Sequence, residues 1–314
     1  MKKVGLGKSS LKVSRIGLGS LAFGHKAKGI QDKEQILDVL NYAFDSGINL
    51  INTAEEYAGG LSEKYIGEVI KNRGDREDII ICTKVSPNHL GYRDVIRACN
   101  YSLERLQTDY IDLYNLHWSW CYDPLSETMK AMDELLADGK IRYVGVSNFH
   151  NVLLQEANDH LQNGEIIVNE IEYNLVNRHI EKELLPFLKS NNISILAYCP
   201  LLHGLLSTNY DENTVFPESD FRYYNPLFAN KENFSKLKKL FDLMRTIAKN
   251  HDVKPVEVAL NWLLQDDLIV PIPGAKKRSH IDCNVHAAEW KMTKDEFDNL
   301  TKASANIYLD IFRH

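Results

Sequence analysis

Short apolar runs alternate with stretches of helical periodicity along the whole chain. Apolar residues spaced three or four positions apart, as in Ile36, Leu40 and Ala43, predict amphipathic helices, and the runs between the helices predict buried strands. Eight strands are predicted in this way: Ile16 to Leu18, Ile48 to Ile51, Asp78 to Thr83, Tyr110 to Leu116, Ile141 to Val146, Ile166 to Ile171, Ile193 to Tyr198 and Leu268 to Ile272.

The number and order of these elements favour a closed barrel of parallel strands, each followed by a helix. The 314 residues contain no linker rich in proline, glycine or serine, so we expect one α/β domain over residues 1–314, a (β/α)8 TIM barrel. The opening KVGLGKSSLKVS predicts a β-hairpin that could close the bottom of the barrel. Between Pro200 and about Asn230 the chain lacks clear periodicity, which predicts a long loop after strand seven, on the face where barrel active sites lie.

Composition and charge exclude several classes of protein. The hydrophobic fraction of 44% and the charged fraction of 25% are typical of a globular protein that folds by burial. A net charge of −6 disfavours nucleic acid as a partner. No apolar run has the length of a bilayer span and the first residues lack the apolar core of a signal peptide, so we expect a cytoplasmic protein without a membrane partner. The five cysteines form no CxxC pair or zinc-type cluster, which predicts free thiols and no metal site.

Polar side chains follow successive strands at their carboxyl ends, where barrel enzymes place functional residues. They are Asn52 and Tyr57 after strand two, Lys84 at strand three, His117 at strand four, Ser147 and Asn148 at strand five, Glu170 at strand six and Tyr198 at strand seven. Tyr57, Lys84 and His117 suit the reduction of a carbonyl: a phenol to give the proton, an ammonium to lower the pKa of that phenol, and an imidazole to bind the carbonyl oxygen. Each residue alone has a structural explanation, such as a buried core histidine, but their order along the strands favours a site.

Several segments in the right order resemble the aldo-keto reductase family. They are INTAEEYAGGLSE, ICTKV, DLYNLHW, GKIRYVGVSNF, NEIEYN, ILAYCPLLHGLL and VPIPGAKKRSHIDCN. The resemblance implies that Tyr57 is the proton donor, Lys84 its partner and His117 the residue that orients the substrate carbonyl. It further implies that Ser147 and Asn148 hold the nicotinamide carboxamide, with Glu170 beside them, and that the nicotinamide ring stacks on Tyr198.

A basic segment near the carboxyl terminus indicates the cofactor. Lys276, Lys277 and Arg278 open the last predicted helix, whose N-terminus favours an anion such as the 2′-phosphate of NADP. The alternative is a solvated basic helix start. By the resemblance, Lys276, His280 and Asn284 occupy the adenosine-phosphate contacts. The run GLGSLAFG lacks the GxGxxG spacing, so a dinucleotide would bind without a Rossmann fold.

Two residues depart from the family pattern. Asn52 stands where the family normally has aspartate, and an asparagine cannot supply the negative charge that would hold Lys84 protonated. We therefore expect the charge balance around Lys84 to shift by one unit, with lower pKa values for Lys84 and Tyr57 than aspartate would produce. Glu170 stands where the family usually has glutamine.

These observations predict an NADPH-dependent oxidoreductase that reduces small-molecule aldehydes or ketones to alcohols. Substrate contacts are expected from Ala22, Phe23, Trp118 and the long loop. An alternative, kept open by Asn52 and Glu170, is a nicotinamide-nucleotide-binding sensor or regulatory subunit with weak turnover. Metal-assisted hydrolysis is disfavoured because the chain contains neither HExxH nor GxSxG.

Overall fold

The computed structural model describes residues 1–26, 29–118 and 123–309. A two-stranded antiparallel hairpin, β1 (Lys3–Gly5) and β2 (Lys12–Ser14), precedes a sheet of eight parallel strands. These are β3 (Leu18–Gly19), β4 (Leu50–Asn52), β5 (Ile80–Val85), β6 (Ile111–Leu116), β7 (Ile141–Ser147), β8 (Ile166–Glu172), β9 (Ser194–Tyr198) and β10 (Ile269–Pro271). Each of the eight predicted strands overlaps one of them, because continuous apolar runs in an α/β chain are buried on both faces.

The first and last strands of this sheet meet and close the barrel. The backbone N–H of Gly17 donates to the carbonyl of Pro271 at 3.0 Å, and that of Gly19 donates to the carbonyl of Pro273 at 3.1 Å. A Cβ atom on Gly19 would lie 2.8 Å from the carbonyl oxygen of Ile272, so the seam requires a residue without a side chain. The closure confirms the predicted (β/α)8 barrel.

Helices surround the strands in the described part of the chain. They are α1 (Lys33–Asp45), α2 (Leu61–Arg73), α3 (Tyr92–Leu106), α4 (Leu125–Ala137), α5 (Asn151–His160), α6 (Leu184–Ser190), α7 (Phe221–Tyr224), α8 (Pro226–Ala229), α9 (Glu232–Asn250), α10 (Pro255–Leu263), α11 (Arg278–His286) and α12 (Lys294–Ser304). The predicted apolar stripe of α1 is buried, and Asp32 caps its N-terminus by accepting from the backbone N–H of Gln35. The basic segment at 276–278 opens α11 and not the last helix, because α12 follows α11.

The hairpin closes one end of the barrel. Leu6 and Leu11 pack against Ile167 and Val168, in a cluster that fills the barrel interior. The backbone N–H of Gly7 donates to Oγ of Ser194, the first residue of β9. The hairpin therefore lies at the amino ends of the strands, as predicted, and the carboxyl ends face the opposite side.

The predicted long loop after β9 is confirmed, but it is packed by its own side chains. Short helical turns, among them α7 and α8, interrupt it. The rings of Tyr210, Phe216 and Phe228 contact one another, and the guanidinium of Arg222 lies 4.5 Å from the centre of the Phe216 ring. Within the described residues, no helix combines the length and apolarity needed to cross a bilayer.

Candidate active site

A strained turn after β4 carries Tyr57 to the mouth of the barrel. Tyr57 begins a 3-10 helix, Tyr57–Gly60, in which Ala58, Gly59 and Gly60 have positive φ angles. The phenol of Tyr57 returns towards the barrel interior, and the centre of its ring lies 5.0 Å from Nζ of Lys84. The imidazole of His117, the residue after β6, meets the same ring edge to face at 5.8 Å. The structure thus brings together the three residues predicted to act on a carbonyl.

Lys84 is fully buried, and its ammonium has partners from three elements. Nζ donates to Oδ1 of Asn52 and to the backbone carbonyl of Thr53, each at 2.8 Å, and to the hydroxyl of Tyr57 at 3.4 Å. Oε1 of Glu170 lies 3.2 Å from Nζ. The Thr53 carbonyl was not anticipated from the sequence, because a backbone acceptor leaves no residue-type signal.

The contacts of Glu170 correct the expectation that the site lacks one negative charge. Glu170 is buried, and its Oε2 accepts from Nδ2 of Asn52 at 2.8 Å and from Nδ2 of Asn115 at 3.4 Å. The carboxylate absent at position 52 is thus replaced by one from another strand. Asn115 was also not predicted as a site residue, although a polar residue within the apolar strand β6 is a sequence signal for a side chain that faces the barrel interior.

The pKa directions follow from this arrangement. Burial by itself would lower the pKa of Lys84, but the electrostatic influence of Glu170 and then of Tyr57 and Cys82 together outweigh burial, and the pKa is raised. Burial also raises the pKa of Tyr57; the ammonium of Lys84 opposes that rise and Glu170 adds to it. Both pKa values therefore lie above their ordinary values, and Tyr57 retains its proton at neutral pH. The lowering expected relative to an aspartate at position 52 stays a prediction.

His117 is held as a neutral imidazole. Burial, and then the positive charge of Lys84, lower the pKa of His117 to about 3. Its Nδ1 lies 3.1 Å from Oε2 of Glu56 but has no hydrogen-bond partner among the described residues. A neutral imidazole with one N–H can donate to an incoming oxygen without changing its charge.

We expect the imidazole of His117 to remain neutral between about pH 5 and 8, a range in which an unperturbed histidine gains a proton. Because the unfolded chain takes up this proton near pH 6.5 and the folded protein does not, the contribution of His117 to folding stability falls as the pH drops from there towards 3. Imidazole nitrogen shifts measured by NMR, with His117→Asn to assign the signal, check this. A titration midpoint near 6 for His117 would contradict it.

Three predicted cofactor residues line the adjoining part of the mouth. Asn148 follows β7 with a φ angle of 64°, and its Nδ2 donates to Oγ of Ser147 at 3.0 Å. The hydroxyl of Tyr198, at the end of β9, donates to Oδ1 of Asn148 at 3.0 Å. These three side chains therefore form one hydrogen-bonded group beside Glu170, whose carbonyl accepts from Ser147.

The predicted phosphate segment gathers positive charge at the start of α11. Lys277 is the N-cap of α11 and Arg278 its first residue, whereas the backbone N–H of Lys276 donates to Nδ1 of His280 at 3.2 Å. Burial, and then the charge of Arg222, lower the pKa of Lys276. Burial, with Lys277 and Lys276, lowers that of His280. The guanidinium of Arg278 is engaged by Asp38 of α1 and lies over the ring of Tyr42.

Asn284 adds an unpaired donor to this segment. It is buried on α11, and its Nδ2 has no hydrogen-bond partner among the residues that the structure describes. A buried amide donor without a partner costs free energy unless a ligand satisfies it. The charge around Lys276 and this orphaned amide are consistent with an adenosine phosphate ligand.

The predicted substrate contacts differ in accessibility. Trp118 stacks on His117 with ring centres 6.4 Å apart, and Ala22 is partly buried. The prediction for Phe23 is corrected: its side chain is fully buried in the core beside Ile30 and exposes no surface to a substrate.

Over residues 1–26, 29–118 and 123–309, no group of three His, Cys, Asp or Glu side chains is placed to hold a metal ion. Four cysteines in those ranges are free thiols. Cys121 lies outside the described residues.

Comparisons with known proteins agree with this geometry. The model of the aldo/keto reductase family matches residues 15–305. Aldo-keto reductase YhdN of Bacillus subtilis is 31% identical over 99% of this chain and 96% of its own length, and methylglyoxal reductase YeaE of Escherichia coli is 32% identical over 92% and 90%. A crystal structure of an aldo/keto reductase from Klebsiella pneumoniae in complex with NADP and acetate matches with a TM-score of 0.79 and 30% identity, covering 99% of this chain and 100% of that one. The chain therefore belongs to the aldo/keto reductase family.

Proposed function

We propose that the protein is an NADPH-dependent carbonyl reductase in which Tyr57 gives the proton to the substrate oxygen. The observation that carries this proposal is the convergence of Tyr57, Lys84 and His117 at the mouth of the barrel. The phenol hydroxyl lies 3.4 Å from a buried ammonium and its ring contacts a neutral imidazole. A proton donor beside a fixed positive charge and a hydrogen-bond donor is the arrangement that stabilises a developing alkoxide.

The residues of this chain have separate roles in that reaction. His117 orients the carbonyl oxygen by donating a hydrogen bond, and Tyr57 transfers its proton to that oxygen as the carbon is reduced. Lys84 stabilises the phenolate that remains until a proton from solvent restores Tyr57. NADPH, when bound, supplies the hydride to the carbonyl carbon.

The chain also offers residues that would hold the cofactor. Ser147 and Asn148 would bind the carboxamide and Tyr198 would stack on the nicotinamide, which is consistent with their shared position beside the catalytic group. Lys276 and its basic neighbours Lys277, Arg278 and His280 would bind the adenosine phosphate, with Asn284 satisfying its free amide there.

The alternative, a sensor with weak turnover, has lost the observation that favoured it. Its basis was the departure of Asn52 and Glu170 from the family pattern, and the carboxylate of Glu170 lies beside Lys84, where it supplies the charge absent at position 52. A cytoplasmic location, the absence of a nucleic-acid partner and a single domain over residues 1–314 stay predictions from the sequence.

A turnover assay tests the proposed function. Purified protein is mixed with NADPH and a panel of aldehydes and ketones that includes methylglyoxal, a substrate named for the Escherichia coli relative. We expect oxidation of NADPH that depends on both carbonyl and enzyme. Tight binding of NADPH without turnover of any carbonyl would instead identify a sensor.

We expect Lys276→Ala to weaken NADPH binding about tenfold to a hundredfold, with a much smaller effect on NADH, because a charge-assisted hydrogen bond contributes about 1.5–3 kcal/mol. Titrations of both cofactors check this at low salt. Lys294→Ala, which removes an exposed lysine of α12, is the matched control. Equal losses for both cofactors would assign Lys276 to the pyrophosphate that they share.

A further inference from the structure

Asn52 and Glu170 meet across the barrel from opposite strands. In the closed ring, β4 and β8 are separated by β5, β6 and β7 on one side and by β3, β10 and β9 on the other. Both side chains are buried, and Lys84 of β5 lies against them. The charge that faces Lys84 therefore comes from the far wall of the barrel and not from the neighbouring strand.

The polar atoms around Glu170 are a cation and amide donors. Its two oxygens face one cation and two hydrogen-bond donors: Nζ of Lys84 at 3.2 Å, Nδ2 of Asn52 at 2.8 Å and Nδ2 of Asn115 at 3.4 Å. An ionised carboxylate only accepts hydrogen bonds and so matches this set, whereas a carboxylic acid would bring an unmatched donor. Glu170 thus carries the negative charge opposite Lys84.

Asn52 connects the two charges, and its orientation is determined by its partners. Its Oδ1 accepts from Lys84 and its Nδ2 donates to Glu170, each at 2.8 Å. The flipped amide would place a donor against the ammonium and an acceptor against the carboxylate. Aspartate at position 52 would likewise set two carboxylate oxygens against each other.

We propose that Glu170 is the counter-ion of Lys84 and that Asn52 and Glu170 act as a coupled pair of positioning residues, which together replace a single carboxylate at position 52. Glu170 is then committed to Lys84 and is not a ligand of the nicotinamide carboxamide. The kinetic test of this inference rests on the proposed function, whereas the unfolding test does not.

The other titratable groups near Asn52 and Glu170 do not neutralise the negative charge of Glu170. Tyr57, Cys82, His117 and Tyr198 interact electrostatically with Lys84 or Glu170. Asp112 acts on Cys82, Glu172 acts on Tyr198, and Cys199 acts on Tyr57 and Tyr198. Burial raises the pKa of Cys82 and Tyr198 and lowers that of His117, so these three are uncharged near neutral pH. Asp112 is already paired with Arg76 and Arg142.

Glu170→Gln removes the counter-ion and leaves a buried ammonium. The pKa of Lys84 and that of Tyr57 then both fall, since Glu170 raises each of them. Carbonyl reduction requires the proton on Tyr57, so we expect the alkaline limb of kcat/KM to move to lower pH by about one to three pH units. We also expect a thermal midpoint that is lower by several degrees, because an unpaired buried charge destabilises the fold.

Asn52→Asp adds a carboxylate instead of removing one, so that two carboxylates share the ammonium of Lys84. We expect a lower thermal midpoint at neutral pH that recovers as the pH falls, since the folded state then binds a proton between the two carboxylates. The double variant N52D/E170Q again has one carboxylate beside Lys84. We expect it to restore both the alkaline limb and the thermal midpoint towards those of the parent.

Glu165→Gln is the matched control, because it removes a carboxylate from the residue before β8 that pairs with Lys8 on the surface. Its pH profile should superimpose on that of the parent. The proposal is overturned if the pH profile of kcat/KM for E170Q also superimposes on that of the parent. It is likewise overturned if adding N52D to E170Q lowers the thermal midpoint as much as N52D lowers it in the parent. If E170Q does not fold, the double variant must fold, and its failure to do so would also overturn the proposal.

The unfolding measurements separate this inference from the proposed function. If the protein reduces no tested carbonyl but the double variant recovers the thermal midpoint, the assignment of Glu170 as counter-ion stands and the proposed activity is wrong. If the protein reduces carbonyls but the losses in thermal midpoint of N52D and E170Q add up in the double variant, the proposed activity stands and the coupling of Asn52 with Glu170 is wrong.

Discussion

Replacing Tyr57 with phenylalanine is expected to lower kcat/KM for carbonyl reduction by about 10²-fold or more, the usual scale for the loss of a positioned acid. The substitution deletes the hydroxyl 3.4 Å from Nζ of Lys84 and leaves the ring that packs against His117. NADPH affinity should change little, because the predicted cofactor contacts come from other strands. Steady-state kinetics and a cofactor titration on the same protein check both parts.

Tyr114→Phe is the control for that experiment. Tyr114 is a fully buried tyrosine of β6 whose hydroxyl has no hydrogen-bond partner among the described residues. Deleting this hydroxyl should leave reduction unchanged. If Y57F reduced aldehydes at the parental rate, or if Y114F lost activity to the same extent, Tyr57 would not be the proton donor.

Replacing Arg105 with alanine is expected to lower the free energy of unfolding by about 3–5 kcal/mol, the cost of breaking a buried ion pair on one side. Nε of Arg105 on α3 donates to Oε2 of Glu63 at 2.6 Å, and Glu63, in the first turn of α2, is fully buried. Oε1 of Glu63 accepts from the hydroxyl of Thr83. Without Arg105 the carboxylate keeps the Thr83 contact but loses its counter-charge.

Chemical denaturation of matched variants measures this cost. Arg97→Ala removes an arginine of the same helix whose pair with Asp94 is exposed, and such pairs contribute at most about 1 kcal/mol. The double variant E63Q/R105M should recover much of the loss, because it leaves no buried charge and retains an acceptor for Thr83. Equal effects of R105A and R97A would show that Glu63 is not held as a buried anion.

The turn that carries Tyr57 packs closely against the same arginine. A Cβ atom on Gly60, the last residue of the 3-10 helix, would lie 2.6 Å from Cδ of Arg105. Gly60 also has a φ angle of 85°, in the left-handed region that glycine tolerates best. Arg105 therefore pairs with Glu63 and also lies against the last residue of the turn that begins at Tyr57.

The sequence by itself determined the barrel and the order of its functional residues. Apolar runs such as 111–116 and helical stripes such as that of α1 record burial at each position, so they predict the elements without knowledge of their contacts. Parallel strands have their carboxyl ends on one face, and for that reason Tyr57, Lys84 and His117 could be placed at one mouth from their positions along the chain.

Only the tertiary structure decided which side chains are partners. Asn52 and Glu170 are 118 positions apart and stand on opposite strands, and no local pattern records a contact across the barrel interior. The sequence therefore indicated a missing charge at Asn52, whereas the structure places the carboxylate of Glu170 beside Lys84. The burial of Phe23 and the pairing of Arg278 with Asp38 were decided in the same way, because both depend on how the loops and helices of distant segments pack. Residue type and periodicity report the environment of a position, but the sign of the electrostatic field in a site is the sum over every charge that the fold brings near it.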